Sequence, residues 1–169
     1  MRTRALLLVA AAALAVPAAA SGHFGHRGVL AVLSGTGSSF TGASASASGS
    51  ISLSLKLGAG TFSASISTDW TKATTRTGEH GTLKCAPATA SLTLTGATAS
   101  NTLKGSLSGK TCSWTRSSGS TVNGFFGRGA ATGAGTLASL TGATARLFLA
   151  QQADGSVRGA AFAWRFGVR

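Results

Sequence analysis

Apolar and polar side chains alternate along most of the chain after Gly22. In 51–57, Ile51, Leu53, Leu55 and Leu57 fall on one side, with Ser52, Ser54 and Lys56 on the other. Phe62, Ala64 and Ile66 alternate with Ser63 and Ser65, and Leu92 and Leu94 alternate with Ser91, Thr93 and Thr95. Ala145, Leu147 and Leu149 repeat the pattern, although Phe148 interrupts it. In 162–166, Phe162, Trp164 and Phe166 share one side, and these aromatics are expected to face the core. A period of two predicts half-buried strands. After Gly22 no helical apolar stripe extends over more than ten residues.

Turn-forming residues separate these runs at short intervals. Asp154-Gly155 predicts a hairpin turn between 143–151 and 156–166. Ser117-Ser118-Gly119-Ser120 separates a strand around Cys112–Trp114 from one around Val122–Phe126, and 77–81 reads as a loop. Asn123-Gly124 reads as a tight turn or a bulge, and 45–49, low in complexity, as a flexible loop. Eight to ten short strands joined by polar turns predict an all-β fold. An antiparallel small β-barrel of about eight strands is favoured, with a two-sheet β-sandwich as the alternative.

The first residues follow another pattern. Arg2 and Arg4 precede an apolar run from Ala5 to Val16, then Pro17 and Ala18-Ala19-Ala20. Basic start, short apolar stretch and small-residue cleavage site are the parts of a secretory signal peptide. The run is shorter than the roughly 20 residues that span a bilayer. The organisation expected is therefore a signal peptide at 1–20, a flexible mature N-terminus at 21–28 and a single all-β domain at 29–169. No transmembrane segment is expected after cleavage.

Charge adds one constraint. The chain has 15 Lys and Arg against three acids, Asp69, Glu79 and Asp154. Without Arg2 and Arg4 the net charge is 13 − 3 = +10. The bases are scattered singly. Such a field attracts polyanions and anionic surfaces without naming one. Phosphate-binding loops are absent, and clustered bases with interleaved aromatics are missing from the linear sequence, so nucleic acid is not an expected partner. Cys85 and Cys112, the only cysteines, are expected to pair in an oxidising compartment.

Candidate chemistry is sparse. Asp69, Glu79 and His80 would have to converge in a cleft for an enzyme to use them, and no G-x-S-x-G elbow surrounds any serine. No catalytic residue is assigned and no cofactor is expected. Cleavage after Ala20 would free the amine of Ser21. With the amides of Gly22 and His23 and the His23 imidazole, it offers four nitrogens in a square-planar set suited to Cu(II) or Ni(II).

The stretch Gly35-Thr36-Gly37-Ser38-Ser39-Phe40-Thr41-Gly42-Ala43 resembles the G-T-G-x-F-x-G-A signature of allene-oxide-cyclase-like and dirigent-type β-barrels. A second, poorer copy runs from Gly133-Ala134-Gly135-Thr136-Leu137 to Gly142-Ala143, and each copy carries an insertion. The resemblance implies an eight-stranded barrel with an apolar interior. The carboxylates that some such barrels use have no matched position here.

The function expected from these features is a secreted, non-enzymatic binding or cell-envelope-associated module, its partner an anionic polymer or a small apolar ligand. Three alternatives compete with it: an enzyme using Asp69, Glu79 and His80; an ice- or crystal-binding ladder that includes Thr93 and Thr95; and an outer-membrane barrel with apolar residues outward.

Overall fold

A computed structural model describes residues 28–54 and 56–165. They form nine strands: β1 (Gly28–Gly37), β2 (Ser44–Ser54), β3 (Gly60–Thr68), β4 (Thr74–Gly78), β5 (Gly81–Thr95), β6 (Thr102–Arg116), β7 (Thr121–Gly133), β8 (Thr144–Gln151) and β9 (Ser156–Trp164). All pairings are antiparallel. β1 pairs with both β2 and β9, and β3 pairs directly with β5, so eight strands close into a barrel with β4 added outside the ring. The small β-barrel is thus the observed fold, and the sandwich alternative is set aside.

The closure depends on a change of partner along one edge of β5. Residues 88–95 pair with β3, whereas 81–85 pair with β4. Pro87 stands at the switch. Its carbonyl accepts from the Asp69 N–H at 2.9 Å on that edge. Its missing N–H would point the same way, where no ladder partner is needed. Beyond Thr68 and Gln151, β5, β6 and β7 run on with β4 as a four-stranded flap. Cys85 and Cys112 face each other in register at its base and form the expected disulfide.

Inward residues are mostly apolar, the exceptions being Thr68, Thr111 and Gln151 at the flap end. Leu33, Phe62, Ile66, Leu92, Leu94, Leu103, Leu107, Phe125, Leu147, Leu149 and Val157 are all buried. Burying each large side chain stabilises the fold by about 1.5–3 kcal/mol. Eight strands leave an interior that side chains alone can fill. Where one strand brings a large group, its neighbours stay small: the Phe125 ring lies over Gly127, whose Cβ would meet it at 2.6 Å.

The two glycine-rich stretches close the barrel's ends. Phe40, in the β1–β2 connection, is fully buried under the flap end. Gln151 holds it there: Oε1 accepts from the Phe40 N–H at 3.0 Å, and Nε2 donates to the carbonyls of Gly37 at 3.1 Å and Ser38 at 2.7 Å. At the opposite end a 3-10 segment at Gly135–Leu140 buries Leu137 and Leu140.

Five expectations need correction. Phe162 and Trp164 are outward and half-buried, while Ala161 and Ala163 face the core, because the large residues of β5–β8 leave little room opposite β9. Asn123-Gly124 lies in regular ladder within β7, where its neighbours on both sides fix it as strand. The 77–81 stretch is a hairpin in which only Glu79 and His80 form the turn. Residues 45–49 are strand, because Ala45 and Ala47 bury inward. Gly28 is already part of β1 and buried. The expected Asp154-Gly155 turn is present, with Gly155 at φ +79° and the Ser156 N–H donating to Asp154 Oδ1 at 2.9 Å.

Candidate binding surface

The few polar groups of the interior are already engaged, Thr68 with Thr111 at 2.8 Å and Gln151 with the β1–β2 connection, so the positions open to a partner are outward, and these divide into two walls. On β2, β3 and β5 the outward residues are almost all hydroxyls. Ser44, Ser46 and Ser48 oppose Ser67, Ser65 and Ser63, which oppose Thr89, Ser91 and Thr93. Thr95 opposes Thr61 and completes the array. A shallow hollow of about 640 Å³ lies over this wall, lined mainly by Ser44, Ser46, Ser65, Ser67, Thr89 and Ser91. The Ser/Thr array that includes Thr93 and Thr95 is thus formed as regular cross-strand rows on β2, β3 and β5. Outward hydroxyls are also the reverse of the apolar band that faces lipid in a membrane barrel.

The second wall runs over β6–β9. In one cross-strand row Lys110 faces Phe126, Phe126 faces Phe148, and Phe148 faces Ala160. In the next row Ser108 faces Arg128, Arg128 faces Arg146, and Arg146 faces Phe162. Phe126 is 48% exposed. The Arg146 guanidinium lies 5.0 Å from the centre of the Trp164 ring, within cation–π range. Lys104 and Arg158 are further outward cations on β6 and β9. The same face continues onto the flap, where Arg76, Leu83, Trp114 and Val122 form one row and Arg116 lies 4.8 Å from the Trp114 ring.

Arg128 and Arg146 are the unusual pair. Directly opposed residues on one face bring their Cβ atoms to about 4.5–5.5 Å, and like charges there are destabilising. No Asp or Glu occupies an outward position on β6, β7, β8 or β9. Two of the three acids are engaged elsewhere. Asp69 accepts from the Thr71 backbone and hydroxyl and pairs with Lys72 at 3.0 Å. The Thr71 hydroxyl first, and then Lys72, hold its carboxyl below the ordinary value. Asp154 is lowered chiefly by its hydrogen bonds with Ser156 in the β8–β9 turn, with a smaller pull from Arg158.

Asp69, Glu79 and His80 are not brought together. Asp69 precedes the 3-10 turn at Trp70–Lys72, whereas Glu79 and His80 occupy the exposed flap tip at the far end of β4. Five strand residues separate them, about 16 Å of rise. Ser21, Gly22 and His23, the expected chelate, lie outside the described residues, as does the 1–20 segment. Among the described residues no three His, Cys, Asp or Glu cluster as a metal site, and no helix is long and apolar enough to cross a membrane.

Sequence reasoning missed the Arg128–Arg146 and Phe126–Phe148 pairs. Phe148 interrupting its alternation and the adjacent Phe125-Phe126 were the available signals; the cross-strand register that unites them is not written in either strand alone. No family model, curated protein or solved structure matches this chain.

Proposed function

We propose that this protein is a secreted, non-enzymatic binding module that attaches to an anionic polymer of the cell envelope through the outward wall of β6–β9. The observation that carries this reading is the direct opposition of Arg128 and Arg146 on a wall with no outward acid. Such a pair costs folding free energy in the free protein. A bound anion would turn that cost into attraction, since each guanidinium presents a donor fork that fits a carboxylate or phosphate.

Two further features support it. The disulfide is compatible with an oxidising, extracytoplasmic compartment. The interior side chains argue against a small apolar ligand inside the barrel: Leu33, Leu94, Leu107, Phe125 and Leu149 are each exposed by 1% or less. A cavity large enough for a ligand would leave its lining accessible to solvent.

The test is a binding titration of the exported protein with polygalacturonate, against neutral dextran. Binding is expected at about 0.01 M salt and is expected to weaken steeply at about 0.15 M, where screening acts within about 8 Å. The Arg128→Ala/Arg146→Ala variant should bind at least about tenfold more weakly, a loss of about 1.4 kcal/mol. Equal affinity for dextran, or no binding at the lower salt, refutes the reading.

A further inference from the structure

The basic wall also carries an apolar component that charge attraction does not require. Phe126 and Phe148 are directly opposed, one row from Arg128 and Arg146, and Phe126 leaves nearly half of its surface in water. A polymer of charged groups alone, such as a polyphosphate, has nothing to lay against these rings. A polymer of acidic sugars has both features: carboxylates for the guanidinium forks, and ring faces whose C–H groups pack on an aromatic face.

We propose, resting on the polyanion reading above, that the ligand class is an acidic polysaccharide, its sugar rings seated on Phe126 and Phe148 and its carboxylates on Arg128 and Arg146. Arg146 is prepared for this role. Its guanidinium is held over Trp164 at 5.0 Å, which orients the fork before a ligand arrives. Preorganisation of this kind lowers the ordering cost of binding. Ser108, beside Arg128 in the same row, adds a hydroxyl that exchanges hydrogen bonds with sugar hydroxyls.

The same residues could meet an anionic membrane, but the geometry favours the polysaccharide. Phe148, Phe162 and Trp164 are half-buried along the sheet rather than projecting from it, and charged Arg128 and Arg146 stand among them. Insertion into the acyl boundary wants an apolar face buried about 5–10 Å deep, which this mixed surface does not offer.

The experiment compares the exported wild type with Phe126→Ala and Phe148→Ala. The probes are polygalacturonate, polyphosphate of matched charge and phosphatidylglycerol vesicles, all at low salt. Phe126→Ala, exposed in the folded chain, is the variant least able to disturb folding, and an unchanged thermal transition confirms that. Wild type is expected to prefer polygalacturonate to polyphosphate, and Phe126→Ala to weaken polygalacturonate binding about fivefold while leaving polyphosphate binding unchanged. Equal affinity for the two polymers, unaffected by either substitution, overturns this inference and leaves the polyanion reading standing. Tighter binding to the vesicles than to polygalacturonate also overturns it, in favour of a membrane surface. No binding to any of the three probes removes both readings.

Discussion

The β2–β3–β5 wall and the β6–β9 wall share one barrel and one kind of interior, yet their outer faces are built on opposite principles. The first is neutral and hydroxyl-rich, and it borders a β1–β2 seam where hydroxyls satisfy one another and the backbone: Ser34 and Ser50 approach to 3.3 Å, and the Ser52 hydroxyl donates to the Val32 carbonyl at 3.3 Å. The second sets two arginines against each other and leaves a phenylalanine half in water. Inward positions answer to the core, so they are similar around the ring. Outward positions are free of that demand. A wall that keeps features unfavourable to the isolated fold is therefore the better candidate for work than a wall that is only soluble.

The largest effect should separate inside from outside on one strand. Phe125→Ala is expected to destabilise the protein by about 3–5 kcal/mol, because it empties a fully packed position. Phe126→Ala, one residue along, should change stability by less than about 1 kcal/mol. Denaturant unfolding of both variants checks this, and similar losses would erase the inside–outside distinction.

The disulfide comes next. Cys85→Ser should cost up to about 3–4 kcal/mol on the chain-entropy view of a closed 27-residue separation. Mass spectrometry of the unreduced, exported protein should find no free thiol, and alkylation of both cysteines would contradict the pairing.

A smaller effect has a diagnostic sign. Arg128→Ala should raise stability by about 0.2–1 kcal/mol by relieving the opposed charges while leaving the Arg146–Trp164 contact in place, and should weaken polyanion binding. Ser65→Ala on the hydroxyl wall should leave polyanion binding unchanged and move stability by no more than about 0.5 kcal/mol. Thermal melts and titrations of the pair test the contrast; a destabilised Arg128→Ala protein would show that the arginines are not in conflict.

The smallest effect is on pH dependence. Asp69 and Asp154 are both lowered from 3.8. A carboxylate with a depressed folded pKa contributes stability above its unfolded value and loses it as pH falls through the folded one. Asp69→Asn should therefore lower thermal stability slightly at neutral pH, and the decline as pH falls below about 3.8 should be shallower than in the wild type. An unchanged acid limb would deny Asp69 that role.

The barrel was largely legible from sequence because alternation in 62–66, 91–95 and 145–149 reports inward and outward faces directly. The same logic failed at 162–166. Alternation tells which residues share a face but not which face is inner, and a crowded interior took Ala161 and Ala163 in place of Phe162 and Trp164. The turn residues Asp154-Gly155 were readable because Gly155 requires a positive φ. Asn123-Gly124, with equal turn propensity, was overruled by pairing on both sides of β7. The proposed binding wall was hidden for a related reason. Arg128 and Arg146 are 18 positions apart and look solitary, and only the β7–β8 register makes them neighbours.

The most direct test of the proposed binding wall is a map of amide chemical-shift changes as polygalacturonate is added to the isotopically labelled protein at low salt. The account predicts changes concentrated on β7, β8 and β9 around Phe126, Arg128, Arg146 and Phe148, with β2, β3 and β5 undisturbed. Changes centred on the Ser46, Ser65 and Ser91 hollow, with Arg128 and Arg146 silent, would contradict it.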